Sequence, residues 1–385
     1  NCEDKIWAKG SLEVNDQIYK VKLRAKGDRN LHRLNFKKMS FKVDIRGEKR
    51  LKGIEEFSLQ NPIIRGYTSE LIAAKLVREN EIVSPRNYYF KLYINGEYVG
   101  LRHLEESYSR ELIEANGRRY GPVFSLDEKV SVDFGKTRFD LSDYKNWKNV
   151  DIGLDSLTIL EMIQINPKLI KEFFDTKIWA KYFALMDVLE TYHGTIPKSV
   201  KFFLNPTTGL FEPAFFDGHQ GTGPSNDFLL INFAKNNKSE INCGWICNQS
   251  NWYESFFMDN GEIDKDFYLE YFNSLKKFSS PNYKINNIDQ KINELSPIRG
   301  VLYRNFSRYD DIFFEGLVPH IAKHSLLTNR VNNIHSIINE YYDHRLELYS
   351  VRKDYLVKKL EYDMKIVKNK VRFINMVIDD SLDVR

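Results

Sequence analysis

The stretch whose reading decides the fold is Phe211–Glu212–Pro213–Ala214–Phe215–Phe216–Asp217–Gly218–His219–Gln220–Gly221. Its short apolar run reads as a buried strand that delivers one carboxylate, Asp217, to its end and then breaks at Gly218 and Gly221. Such a strand end holds an acid rigidly at the edge of a cleft, and neighbouring glycines let a ligand approach the backbone. A carboxylate so placed suits Mg²⁺, which takes hard oxygen ligands and usually keeps phosphates as partners. A Phe–Asp–Gly triplet is also an ordinary strand-to-turn junction, so its meaning depends on the rest of the chain.

Immediately upstream, Lys201–Phe202–Phe203–Leu204, the turn Asn205–Pro206–Thr207–Thr208–Gly209 and the returning Leu210–Phe216 read as a hairpin. Before it, Asp175–Thr176 can cap a helix that carries Ile178, Trp179, Phe183, Met186 and Leu189 on one face. The loop Tyr192–His193–Gly194–Thr195–Ile196–Pro197 joins that helix to the hairpin. Further toward the N-terminus the period is that of strands. Ile6–Lys9 is short, whereas Ile18–Ala25 and Met39–Asp44 alternate apolar and polar residues, with the basic loop Lys26–Arg33 between them.

Phe57–Pro62 closes this β segment, and Thr68–Glu79 follows with helical spacing. Tyr88–Ile94 and Tyr98–Leu104 flank Asn95–Gly96, the strongest short hairpin signal. Glu105 and Glu106 fall where that strand ends, and Ser107–Asn116 reads as a helix. Residues 120–155 are polar and turn-rich, and beyond residue 250 the pattern is mostly helical. It includes a long or kinked amphipathic stretch, Leu326–Leu360, and Phe373–Ile378 reads as a last strand. The expected class is α+β, with an N-terminal β-rich lobe (1–120), an inter-lobe segment (121–155) and a larger helical lobe (156–385) that carries Asp217.

Composition bounds the function. At 385 residues the chain exceeds one average domain, and 26 Phe and 22 Tyr supply a sizeable core. A net charge of +4, with basic residues scattered among acids, argues against a dedicated nucleic-acid binder. No apolar run is long enough to span a bilayer. The chain starts at Asn1 without a signal-peptide pattern, and a trimmed or processed fragment would look the same. Three cysteines, Cys2, Cys243 and Cys247, make no disulfide framework. Cys243–Gly–Trp–Ile–Cys247 could close a small disulfide loop or contribute to a metal site, and with no second Cys pair or spaced histidines to support zinc it reads first as a structural loop.

The order of the pieces carries the functional reading. A basic strand pair, a hairpin with acids at its end, a helical segment and then a loop, hairpin and Asp–Gly have the layout of a kinase. Phosphoryl transfer needs cations on the phosphates, a carboxylate on the metal and a group that orients the acceptor.

The residues also carry a resemblance to the spore coat protein H (CotH) kinase family, atypical protein-kinase-like proteins. The matching pieces are Leu23–Asp28, Ser40–Val43, Phe57–Arg65, Ile94–Gly100, Leu104–Glu106 with Arg110–Glu114, and Phe216–Gly218. The resemblance implies a diverged kinase-like two-lobe fold that uses ATP with Mg²⁺ or Mn²⁺. It implies Asp217 as the metal-binding acid, Lys42 as the first choice for the ATP phosphates, Arg24 and Lys26 as second choices, and Glu106 as the acid holding Lys42. It implies transfer to a hydroxyl, of Ser or Thr in a protein or of a glycan, at a cell or spore surface.

Three departures stand against the family pattern. His219 occupies the second acid of an Asp–x–Asp pair, and Ser199 occupies a metal-ligand Asn. The catalytic-loop acid is replaced by His193–Gly194–Thr195, which leaves His193 as the candidate base and Asp187 and Glu190 as the nearest acids. These departures keep open a second reading, a catalytically impaired surface or structural protein that acts by binding.

Overall fold

A computed structural model of the chain describes residues 6–27, 39–65, 68–126, 139–142, 144–147, 150–189, 191–195, 199–218, 254–259, 262–295, 297–298 and 301. The three cysteines, His32, Glu190, His219, Gly221 and the Leu326–Leu360 and Phe373–Ile378 segments lie outside the described residues.

The class is α+β, as the alternating N-terminal and helical C-terminal patterns imply. Six antiparallel strands form the first sheet: β1 (Ala8–Val14), β2 (Gln17–Lys26), β3 (Ser40–Arg46), β4 (Glu56–Gln60), β5 (Asn87–Ile94) and β6 (Glu97–Glu106), in the order β1-β2-β3-β4-β6-β5. The Asn95–Gly96 turn between β5 and β6 has positive φ at both residues, 50° and 83°, as the tight hairpin turn requires.

Period-two alternation sorts this sheet into two unlike faces. Tyr19, Val21, Phe41, Val43, Phe57, Leu59 and Leu104 share a buried apolar face. The register places Lys42 opposite both Arg24 and Ser58, Ser58 opposite Glu105, and Gln60 opposite His103, all on the other face. The sheet is therefore a partition with an oily side and a charged side.

The second sheet contains β7 (Val123–Leu126), β8 (Phe139–Ser142), β9 (Lys201–Asn205) and β10 (Leu210–Ala214), in the order β10-β9-β7-β8. The hairpin before Asp217 is thus present, ending at Ala214. Two strands from the 121–155 stretch join it, so that stretch is built into the sheet as well as connecting to the helices.

Helices pack against this sheet through an aromatic core. The Thr176–Leu189 helix is capped by Asp175, whose Oδ1 accepts from the Ile178 amide at 3.1 Å, as the Asp–Thr pair led us to expect. Trp179, fully buried, packs at a tilt among the rings of Phe174, Phe183, Phe202 and Phe256. Its indole Nε1 donates to the Phe211 carbonyl at 2.9 Å, which ties the helix to β10. The Lys265–Phe278 helix lies along it, and its Tyr271 hydroxyl donates to Asp187 at 2.5 Å.

Candidate functional site

Asp217 is presented by a short extension of β10 with four tethers. The Phe215 amide donates to the Val83 carbonyl at 2.8 Å, and the Tyr108 hydroxyl donates to the Phe215 carbonyl at 2.5 Å. Burial pushes the Tyr108 phenol well up, so it remains a proton donor. His193 Nδ1 lies 2.9 Å from the Asp217 carbonyl and 3.1 Å from its Oδ2, and Ser199 Oγ donates to Oδ2 at 3.3 Å. Because Nδ1 faces acceptors, the network puts the ring proton there, and Nε2 is the nitrogen able to accept one.

Asp217 itself has φ +55°, a left-handed conformation that is unusual outside glycine and tolerated best by Asn and Asp. Gly218 is needed for a different reason. A Cβ there would meet the buried Phe215 ring at 2.2 and 2.3 Å. Gly218→Ala is therefore expected to cost about 1–3 kcal/mol by overpacking, read as a lower urea midpoint at unchanged slope. An unchanged midpoint would show that the ring can move aside.

The charged face of the first sheet meets this acid through Arg65. The Arg65 side chain is 6 % exposed and ends the short helical turn Pro62–Arg65. Its Nη1 bonds Asp217 Oδ1, and its Nε lies 2.8 Å from Glu105 Oε2 and 3.8 Å from Glu70 Oε2. Lys26 Nζ reaches the other Glu105 oxygen at 3.5 Å and donates to Ser58 Oγ at 2.7 Å. A continuous polar chain thus runs Lys26–Glu105–Arg65–Asp217–Ser199/His193 from one sheet to the other.

The electrostatics follow from burial and neighbours. Burial alone would raise the Glu105 pKa, but Arg65 and then Lys26 override it and hold the carboxyl at about 2. Burial lowers Lys26 to about 8, with Arg65 and Lys42 adding to the effect and Glu105 opposing it. His103, also on this face, is lowered to about 3, chiefly by burial, and is neutral.

The expected Lys42–Glu106 pair is not formed. Glu106 lies one residue beyond Glu105, so alternation turns it to the opposite face, where Arg86 bonds it through Nε at 2.8 Å and through Nη2. Lys42 is on the charged face, but it pairs with Glu56 and donates to Ser107 Oγ at 2.6 Å. Arg24 shares that face and lies over the Trp7 ring, 5.1 Å from its centroid. The structure instead brings together Lys26, His193, Ser199 and Asp217 with Arg65 and Glu105, two residues the sequence reading did not single out as site groups. Counting alternate residues back from the core-facing Leu104 would have placed Glu105 with the lysines. Nothing local in Asn61–Pro62–Ile63–Ile64–Arg65 marks Arg65. Asp187, considered as a replacement acid, is fully buried in the helical core on Tyr271.

Among the described residues, no three acidic, His or Cys side chains form a metal cage. Asp217 and Ser199 offer one carboxylate and one hydroxyl. That donor pair fits Mg²⁺ or Mn²⁺ arriving on phosphates, since such ions take one or two protein ligands and fill the rest with phosphate and water.

No helix among the described residues is long and apolar enough to cross a membrane. A family model described as CotH kinase protein matches residues 23–349, most of the chain. No curated protein matches it.

Proposed function

The chain belongs to the CotH kinase family, and from that premise we propose that it is an ATP- and divalent-metal-dependent phosphotransferase acting on a hydroxyl, of Ser or Thr in a protein. The two sheets are the counterparts of the two lobes of a diverged kinase-like fold, with the division near residues 121–155. The observation that carries this reading is the polar chain from Lys26 through the buried Glu105 and Arg65 to Asp217.

Lys26, fixed by Glu105 and Ser58, is the cation for the nucleotide phosphates, and Lys42 beside it is a second. An ammonium already oriented by a buried carboxylate meets a phosphate with little ordering cost. Asp217 and Ser199 hold the divalent ion, which when bound neutralises charge on the transferred phosphoryl group. His193 fixes Asp217 through Nδ1, and its Nε2 is the group that takes the acceptor proton.

The reading is tested by thermal shift with ATP and Mn²⁺, followed by transfer from labelled ATP. Metal-dependent binding and transfer support it; no binding removes it. Binding without transfer favours the second reading, a catalytically impaired member acting by binding. The observation on that side is that Asp187, the nearest described acid on the preceding helix, is locked into the core.

Protonation of Lys26 supplies a further check. Its pKa of about 8 makes the free protein lose this positive charge as pH rises through 8. Nucleotide affinity should therefore fall several-fold between pH 7.5 and about 9. Lys26→Arg, charged throughout, should flatten the profile, whereas a profile unchanged in that variant would show that the pH dependence comes from a group other than Lys26.

A further inference from the structure

Among the described residues, Arg65 joins the two halves of the proposed site, touching Glu105 and Asp217, and no role follows for it from the phosphotransfer chemistry described above. It occupies the carboxylate that the metal must use: Nη1 is on Asp217 Oδ1 while Nε stays with buried Glu105. Two basic side chains, Lys26 and Arg65, face three acidic ones, Glu70, Glu105 and Asp217, across this cluster. Asp217 is the most accessible of the three acids, with 16 % of its side chain exposed against 0 % and 2 %. Removing the Arg65 contact from the outer acid therefore leaves the inner anchor in place. The Arg65 guanidinium also lies 5.6 Å from the Phe216 ring centroid, within the range where an aromatic face supports a cation.

We infer that Arg65 is a ligand-binding residue that exchanges partners. It neutralises Asp217 before the nucleotide enters, yields that carboxylate to the divalent ion, and turns the freed Nη1 toward the nucleotide phosphates while Nε remains on Glu105. The exchange makes metal and nucleotide binding mutually dependent. A divalent ion alone must displace Arg65 without compensation, and with a nucleotide present the displaced guanidinium gains a phosphate. This inference rests on the phosphotransferase reading.

The test is Mn²⁺ binding without nucleotide, and Mg²⁺–nucleotide binding, each by calorimetry on the full chain with wild type, Arg65→Lys and Arg65→Gln. Lysine keeps one positive charge but lacks the fork that spans Glu105 and Asp217; glutamine keeps a donor and removes the charge. The expected result is opposite signs: Mn²⁺ alone binds roughly 5- to 10-fold tighter in the variants, and the Mg²⁺–nucleotide complex binds roughly 10-fold weaker. Circular dichroism establishes that each variant is folded, and Arg65→Gln stands if Arg65→Lys does not. Parallel losses of both affinities would make Arg65 a scaffold only and overturn the inference, as would no change in either. A wild type that binds neither ligand would overturn the phosphotransferase reading and this inference with it.

Discussion

Asp217→Asn is expected to fold like the wild type and to lose phosphoryl transfer by about 100- to 1000-fold, the scale of removing a principal electrostatic contributor to a transition state. Asparagine is chosen for physical reasons. The backbone at this position has φ +55°, which Asn accepts nearly as well as Asp and which Ala does not. The amide oxygen can still accept from Arg65 Nη1, the NH2 that replaces Oδ2 can donate to the Ser199 hydroxyl, and the backbone carbonyl that faces His193 Nδ1 is unchanged, so the loop keeps its tethers. The substitution removes one acid from a cluster that holds three acids against two bases, so the Arg65 guanidinium keeps Glu105 and Glu70 beside it. The measurement is transfer from labelled ATP at saturating Mn²⁺, with a urea melt alongside. A folded variant with wild-type turnover would remove Asp217 from the chemistry. A variant that melts much earlier would show instead that its charge is structural.

The sequence carried the class, the Asn95–Gly96 hairpin, the capped helix and the hairpin that presents Asp217, because each has a local cause. Asn–Gly fixes a turn with positive φ, Asp175 supplies a cap oxygen, and alternation over Ile18–Ala25 and Met39–Asp44 sets the two faces of the sheet. The companions of Asp217 were harder to read. Two adjacent glutamates end β6, and only the strand's parity decides which one meets the lysines. Placing the strand end before Glu105 hid that parity, whereas the strand runs through Glu106. The strands β7 and β8 were missed because four-residue strands in a polar stretch have too short an alternation to register. Arg65 was not legible at all, since its two closest partners are 40 and 152 positions away and a lone arginine before a helix is ordinary in sequence.

That long-range role makes Arg65→Ala the substitution expected to cost the most stability. Glu105 and Glu70 are 2 % and 0 % exposed, and among the described residues Glu105 then keeps Lys26 as its ion-pair partner, at 3.5 Å. Removing one member of a buried ion pair typically costs about 3–5 kcal/mol, because the remaining charge keeps its desolvation penalty. A lost side-chain volume alone would give a destabilisation indifferent to pH, and the two causes can be separated. In the wild type, the folded-state Glu105 pKa of about 2 lies below its ordinary 4.5. Its stabilising contribution is therefore complete above pH 4.5 and is lost as pH falls toward 2. In the variant, burial acts without Arg65 to oppose it, so the same carboxyl titrates higher than in the wild type and the variant loses less stability as pH falls. The gap between the two urea midpoints should narrow on going from pH 7 to pH 4, and Arg65→Lys should fall between them. A gap of the same size at both pH values would mean that packing, not the charge on Glu105, is what Arg65 supplies to the fold.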